Sequence, residues 1–375
     1  MQLPKGITKR KDNIYVGRFS FDGQRIVLYD RDWRKLDDKI TTMKYELKQG
    51  IYVKEQNMTV QQWFDTWIES KELDVKPSTI QSYEDAYNDY IKKKIGNRKL
   101  KSVRVDELQR VYDSMAKAGY KKNTIMRVNT VLKGMFKKAY KQQVIKKNNM
   151  DFITIPKLHE DNKVIALTVE QQKLFLEKSD GQMLDMAEIF LSTGMRSGEL
   201  RGLDFDTDID FKNRVIKITG TLVYVKGKMF KQRPKTKKGE REIPMLDNVY
   251  KILRRIKRQQ AESKLMMGDK WTPYEGLENL VFTRPENGKP ISTTVLSKRI
   301  NTVCRHCKKK DADFPNVTPH VFRHTFATRC IENGMPPQVL KEILGHSKLS
   351  MTMDLYAHVL PNTKKEEMKK IAGLF

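Results

Sequence analysis

His320-Val321-Phe322-Arg323-His324-Thr325-Phe326-Ala327-Thr328 decides how this chain is read. Pro319 opens the stretch and Gly334 closes it, so it reads as a helix over 319–333 that carries His320 and Arg323 on one face at i and i+3. Downstream come Gly345-His346 and then Tyr356, and far upstream stands Arg196 in Thr193-Gly194-Met195-Arg196. Two arginines, two histidines and a tyrosine provide what a metal-free phosphoryl transfer to a protein hydroxyl needs: cations for the phosphate, proton carriers and a nucleophile. His320 and His324 also have the i, i+4 spacing of a metal pair. The Glu of a His-Glu-x-x-His site is missing, however, and Arg323 between them would repel a dication.

The charge balance points the same way. Lys and Arg number 73 against 46 Asp and Glu, a formal charge of +27 and a pI near 9.7, which favours a polyanionic partner, nucleic acid first. A solvated basic surface of the ribosomal or chaperone kind is the plainer alternative. No apolar run approaches the roughly 18 to 20 residues of a membrane span. Met1-Gln2-Leu3-Pro4-Lys5 has no apolar core for secretion, so a soluble, cytoplasmic protein is expected. Cys304, Cys307 and Cys330 are an odd number of thiols in a long chain, which argues for reduced cysteines. Cys304-Arg305-His306-Cys307 resembles half a zinc site without its second half, so no metal or other cofactor is expected.

With 375 residues the chain can form two or three units, and the expected fold is multidomain, mainly α with small β. Residues 1–55 read as a small β-sheet plus helix. The strands run through Ile14–Phe19 and Gln24–Tyr29, with an Asp22-Gly23 turn and a helix from about Trp33 to Lys48. Lys5, Lys9, Arg10, Lys11, Arg18 and Arg25 could place this sheet in a DNA groove; a capping hairpin is the alternative. Residues 58–150 read as a helical bundle. Thr59 caps a helix with Val60, Trp63, Phe64, Trp67 and Ile68 on one face; a second runs from Pro77 to near Gly96, a third through Leu108 and Met115, and a fourth from Thr124 to about Gln142. Lys92-Lys93-Lys94, Lys121-Lys122, Arg127, Lys133 and Lys137-Lys138 lie on the opposite faces, suited to phosphates. After a linker, residues 163–375 read as an α+β domain. It opens with a capping box at Thr168 and Gln171, passes through strands at Val215–Ile218 and Thr221–Val225, a basic turn and Arg241-Glu242-Ile243-Pro244, and ends in helices.

Five motifs in fixed order resemble the tyrosine recombinase, or phage integrase, family. They are Thr193-Gly194-Met195-Arg196-Ser197-Gly198-Glu199-Leu200, Lys235-Thr236-Lys237, the helix from His320, Leu344-Gly345-His346 and Met353-Asp354-Leu355-Tyr356-Ala357-His358. The resemblance covers most of 165–360, and its flavour is that of integrases from conjugative transposons and temperate phages. It implies a site-specific DNA recombinase that cuts and rejoins double-stranded DNA through a 3′-phosphotyrosine. The N-terminal sheet would bind arm-type sites and the bundle core-type sites.

The residue types fit the steps. Arg196 and Arg323 can present planar forks to the non-bridging oxygens of a phosphate, and Tyr356 can attack phosphorus while the bond energy is kept, so no ATP is needed. A phenol with a pKa near 10 needs a base, for which His320 is placed. The resemblance implies that His346 hydrogen-bonds the phosphate and that Lys235, on a β-hairpin, gives a proton to the leaving 5′-oxygen. Lys231, Lys237 and Lys238 share its basic stretch, and a pure phosphate contact stays open for Lys235. Glu199 braces a guanidinium or histidine by the same resemblance, or is an ordinary helix-start carboxylate.

The working form expected is a homotetramer on two duplexes, joined by an excision-directing partner and a host DNA-bending protein, at the bacterial nucleoid. A non-catalytic DNA-binding regulator and a type IB topoisomerase-like enzyme are the rivals. Met368, Ile371, Leu374 and Phe375 give the tail from Thr363 an amphipathic character, for docking on a neighbouring protomer or on its own domain.

Overall fold

In the computed structural model, residues 3–49, 52, 57–157, 165–234 and 239–359 are described. Lys235, the tail from Thr363 and the His358 side chain therefore lie outside the described residues. The chain divides into two compact units, Met1–Glu160 and Asp161–Phe375.

The first unit begins with an antiparallel sheet of β1 (Ile7–Lys9), β2 (Tyr15–Phe21) and β3 (Gln24–Asp30), in that order. Asp22 and Gly23 both take positive φ, 48° and 74°, between Phe21 and its partner Gln24, the turn that right-twisted hairpins prefer. Helix α1 (Trp33–Lys48), capped by Asp32, covers one face through Leu36 and Ile40. Ile7 joins them in a small core of their own.

The bundle follows as α2 (Val60–Glu72), α3 (Pro77–Ala86), α4 (Lys92–Ile95), α5 (Val105–Lys117) and α6 (Lys122–Lys141). Thr59 and Gln62 close a reciprocal capping box on α2, whose five expected apolar residues are all buried. The Trp63 indole N–H donates to the Met135 carbonyl at 2.9 Å, so a large aromatic body enters the core without orphaning its polar edge. The helix expected to run from Pro77 to Gly96 is interrupted by a π turn, Tyr87–Ile91. Buried Tyr87, Ile91 and Ile95 follow one another every four residues, a spacing that drifts off a 3.6-residue period, and the wider turn brings them back into phase. Outside, Lys92, Lys93, Lys94, Lys121, Lys122, Lys133 and Lys137 are exposed, while Arg127 and Lys138 are half-buried.

The second unit opens with α7 (Val169–Glu177), on the expected Thr168–Gln171 capping box, and α8 (Gly181–Thr193). After α9 (Ser197–Arg201) come β4 (Ile209–Asp210), β5 (Val215–Ile218), β6 (Thr221–Val225), β7 (Lys228–Gln232) and β8 (Arg241–Pro244). One sheet has the order β4-β5-β8, and β6 pairs with β7 in a hairpin. The basic turn expected after Val225 therefore contains a strand, Lys228–Gln232. Lys226 and Gly227 make the turn, and Lys228–Gln232 returns along β6 with Leu222 opposite Lys231. With Lys228 and Lys231 three residues apart on a half-exposed arm, the strand shows no period-two pattern to read. The unit ends with α10 (Asp247–Met267), α11 (Thr293–Lys308), α12 (Pro319–Glu332), α13 (Pro337–Leu344) and α14 (Ser350–Val359). Phe190 of α8 stacks on Phe322 of α12, with ring centroids 5.5 Å apart, so the end of one helix is registered against the start of the other. Cys304 and Cys307 are buried in this core, where burial pushes both thiols up, Cys307 to about 11, away from the thiolate a zinc ion would take.

Candidate active site

The C-terminus of α13 organises the site. Gly345 stops the helix in the left-handed region (φ 65°), with its N–H on Glu342 O and the His346 N–H on Lys341 O, both at 3.1 Å. This paired bonding leaves the next carbonyls without helical partners. Three arginines take three consecutive ones. Arg241 Nε donates to Ile343 O at 2.6 Å, Arg323 Nη2 to Leu344 O at 2.7 Å and Arg196 Nη2 to Gly345 O at 3.2 Å. Cations at a helix C-terminus also meet the negative end of its dipole.

Each arginine arrives on a different element. α8 ends at Gly194, again left-handed (φ 62°), and its carbonyl accepts Arg323 Nη1 at 2.9 Å. The turn delivers Arg196 to the start of α9, where Glu199 accepts from the Arg196 backbone N–H and from its Nη1, both at 2.8 Å. Arg241, at the head of β8 opposite Ile218, lays its fork on the same carboxylate, Nη1 at 3.0 Å and Nη2 at 2.8 Å. Glu199 therefore receives four hydrogen bonds, about as many as a carboxylate accepts.

Exposure separates the three cations. The Arg196 side chain is 38% exposed, that of Arg241 only 7%, and Arg323 is 6% exposed. One carboxylate stands against three guanidiniums. Burial works against the charge of Glu199, but the Arg241 hydrogen bonds and the charges of Arg241 and Arg196 hold its carboxyl at about 2. Burial, with Arg196 and Arg241 adding and Glu199 opposing, pulls Arg323 down to about 9. Burial together with Arg323, Arg196, Arg241 and His324 holds His346 down at about 4, so its ring is neutral at physiological pH. Its Nδ1 is 2.9 Å from the hydroxyl of fully buried Thr352 on α14. The cluster thus carries excess positive charge at low dielectric, a socket for an anion.

Of the residues singled out in the sequence, Arg196, Glu199, Arg323 and His346 come together. His320 is exposed in the first turn of α12, one turn before Arg323. Tyr356 packs beside Phe326, Cys330, Leu340 and Leu344, and its hydroxyl donates to the Met335 carbonyl. Burial, then Cys330, raises its pKa above the usual phenol value. Lys231 is not a spare cation, since its ammonium is paired with Asp208, which is 1% exposed and also accepts from Thr219 at 2.6 Å. Arg241 lies within the quoted stretch Arg241-Glu242-Ile243-Pro244, but nothing in its spacing marks it as a member of the cluster. The alternation of β8 was the available signal, because it places Arg241 on the same side of the strand as buried Ile243.

The chain matches known proteins in sequence and in fold. The model of the phage integrase family matches residues 166–363, and that of the phage integrase N-terminal SAM-like domain matches 59–116. The chain is 28% identical to the transposase from transposon Tn916 of Enterococcus faecalis, over 98% of this chain and 94% of that protein. It is 30% identical to a tyrosine recombinase XerC-like protein of Caldanaerobacter subterraneus, over 88% of this chain and 86% of the relative. Among solved structures, the Tn1549 transposon integrase in complex with transposon right end DNA superposes with a TM-score of 0.71 at 30% identity, covering 84% of this chain and all of that one. A lambda integrase dimer bound to a core site shares the fold, with a TM-score of 0.56 at 16% identity.

Proposed function

The chain belongs to the phage integrase family, and on that premise we propose that its arginine cluster is the place where a DNA phosphate is attacked by Tyr356. The protein is a tyrosine-type site-specific DNA recombinase, an integrase, and DNA is its partner. The observation that carries the reading of the site is the charge of the cluster: three guanidiniums around one saturated carboxylate, with the open face of Arg196 turned to solvent.

In this reading Arg196 and Arg323 hold the non-bridging oxygens, on which charge grows as phosphorus becomes five-coordinate. A phosphate oxygen replaces the Gly345 and Leu344 carbonyls as their acceptor. Tyr356 leaves Met335, gives its proton to His320 and forms the 3′-phosphotyrosine, while His346 hydrogen-bonds the phosphate. Lys235 protonates the departing 5′-oxygen, and that free 5′-hydroxyl, on the partner duplex, later breaks the phosphotyrosine bond. Two duplexes exchange four strands, each cut by one tyrosine, so the working unit is a homotetramer. Residues 1–55 engage arm-type sites, residues 58–150 core-type sites, and residues 163–375 the scissile phosphate. The Tn1549 relative was solved with transposon-end DNA and with circular intermediate DNA, which supports the ends of a mobile element as the substrate. An excision-directing partner and a host DNA-bending protein complete the assembly, in the cytoplasm at the nucleoid.

A nicked suicide duplex carrying the element end tests this. Wild-type protein is expected to remain linked to the 3′ side of the cut, with Tyr356 recovered as the modified residue. Tight binding without any adduct would overturn the catalytic reading.

A further inference from the structure

Arg241 stands in the cluster without a task in the reaction just described. Its side chain is closed off from solvent, and three of its N–H groups are committed to two different parts of the site, the Glu199 carboxylate and the Ile343 carbonyl. We propose that Arg241 is a positioning residue for strand cleavage, locking Glu199, and through it Arg196, to the end of α13 that carries His346.

The geometry calls for a guanidinium. Two parallel N–H groups meet both oxygens of Glu199, and the third, Nε, points along the stem to Ile343 O at 2.6 Å. Glu199 has its other acceptor positions filled by Arg196, so the orientation of Arg196 is set by a carboxylate that cannot rotate without breaking four bonds. Gly345 permits the approach, because a Cβ built there would lie 3.0 Å from Arg241 Cδ and Nη1. Arg241 is also the first residue of β8, on the far side of 235–238 from β7.

This inference rests on the assignment of the cluster as the cleavage site, and its test keeps the two apart. In single-turnover trapping on the nicked duplex, Arg241→Lys keeps the charge but cannot make the fork and the Ile343 contact together. The rate constant is expected to fall by about ten- to a hundredfold, the range that misplacing a catalytic group costs. DNA affinity and the final yield of adduct should be unchanged. Glu199→Gln breaks the same link from the other side, and the double variant should be no slower than the slower single one. A merely structural role would lower the yield of active protein at an unchanged rate constant, and would add to Glu199→Gln. Either result, or a wild-type rate in Arg241→Lys, overturns the proposal. If Arg241→Lys does not fold, Glu199→Gln alone decides, a wild-type rate constant again being fatal. If wild-type protein forms no adduct, the cleavage assignment fails first and takes this one with it.

Discussion

The Tyr356 hydroxyl donates to the carbonyl of Met335, in the turn that joins α12 to α13. Attack on phosphorus therefore requires that this bond break and that the phenol turn toward the arginines. Burial also holds the proton on the free enzyme. Tyr356→Phe is expected to abolish the covalent adduct, keep DNA affinity, and cost no more than about 1 kcal/mol of stability, the usual worth of one hydrogen bond. Denaturant midpoints alongside gel-shift titrations check the split.

Glu199 is the keystone of the ion network, and its carboxyl sits at about 2 in the folded protein against an ordinary 4.5. A depressed carboxyl adds stability above the unfolded pKa and loses it as pH falls through the folded one, so this contribution should fade between about 4.5 and 2. Glu199→Ala leaves buried Arg241 without its counter-charge, which should cost roughly 3–5 kcal/mol. Acid titration of the unfolding midpoint in both proteins checks this, since the variant should lose the wild-type dependence in that window.

Much of this was legible in the sequence. Gly194 and Gly345 mark helix ends by composition alone, and Thr59 and Thr168 announce helix starts, so α2, α7, α8 and α13 stand where these signals put them. Arg196 and His346 lie just beside those caps, and Arg323 stands at i+3 from His320 on one helix, so these residues could be read. Arg241 and β7 could not. The role of Arg241 comes from a carboxylate 42 residues away and a carbonyl 102 residues away, contacts that no local spacing encodes. The Met335 seat of Tyr356 uses a backbone atom, which leaves no mark on the sequence.

His346 should report on the charge around it. With its pKa near 4, against 6.5 when unfolded, the folded protein refuses a proton that the unfolded chain accepts between those values. Stability is then full above 6.5 and falls through the window by at most about 1.4 kcal/mol per pH unit, levelling off below. His346→Gln should flatten that slope. NMR titration of the imidazole should also show its pKa rise once a phosphate offsets Arg323, Arg196 and Arg241.

Arg323 carries its charge at a cost, since its pKa has come down from 12.5 to about 9. At neutral pH it is still protonated, so an anion that enters the cluster should stabilise the folded state. Phosphate or sulfate is expected to raise the melting temperature above that in chloride at equal ionic strength, the stabilisation being about 1.4 kcal/mol at ten times the dissociation constant. Arg196→Gln should remove most of the gain, because the 38% exposed Arg196 is the entrance to the cluster.

The last expectation concerns two lysines of one basic stretch. Lys231 is tied to Asp208, a carboxylate 1% exposed, so Lys231→Met leaves a buried charge unpaired and should cost roughly 3–5 kcal/mol. The cleavage rate constant of the protein that still folds should stay near that of the wild type. Lys235→Ala should do the reverse, with the fold kept and cleavage slowed by about a hundredfold or more, the worth of a positioned general acid. A duplex whose bridging 5′-oxygen is replaced by sulfur separates the roles, because a thiolate leaves without being protonated. That substrate should restore the rate of Lys235→Ala if the ammonium supplies the proton. An equal defect on both substrates would reduce Lys235 to a phosphate contact and leave the leaving oxygen to another donor.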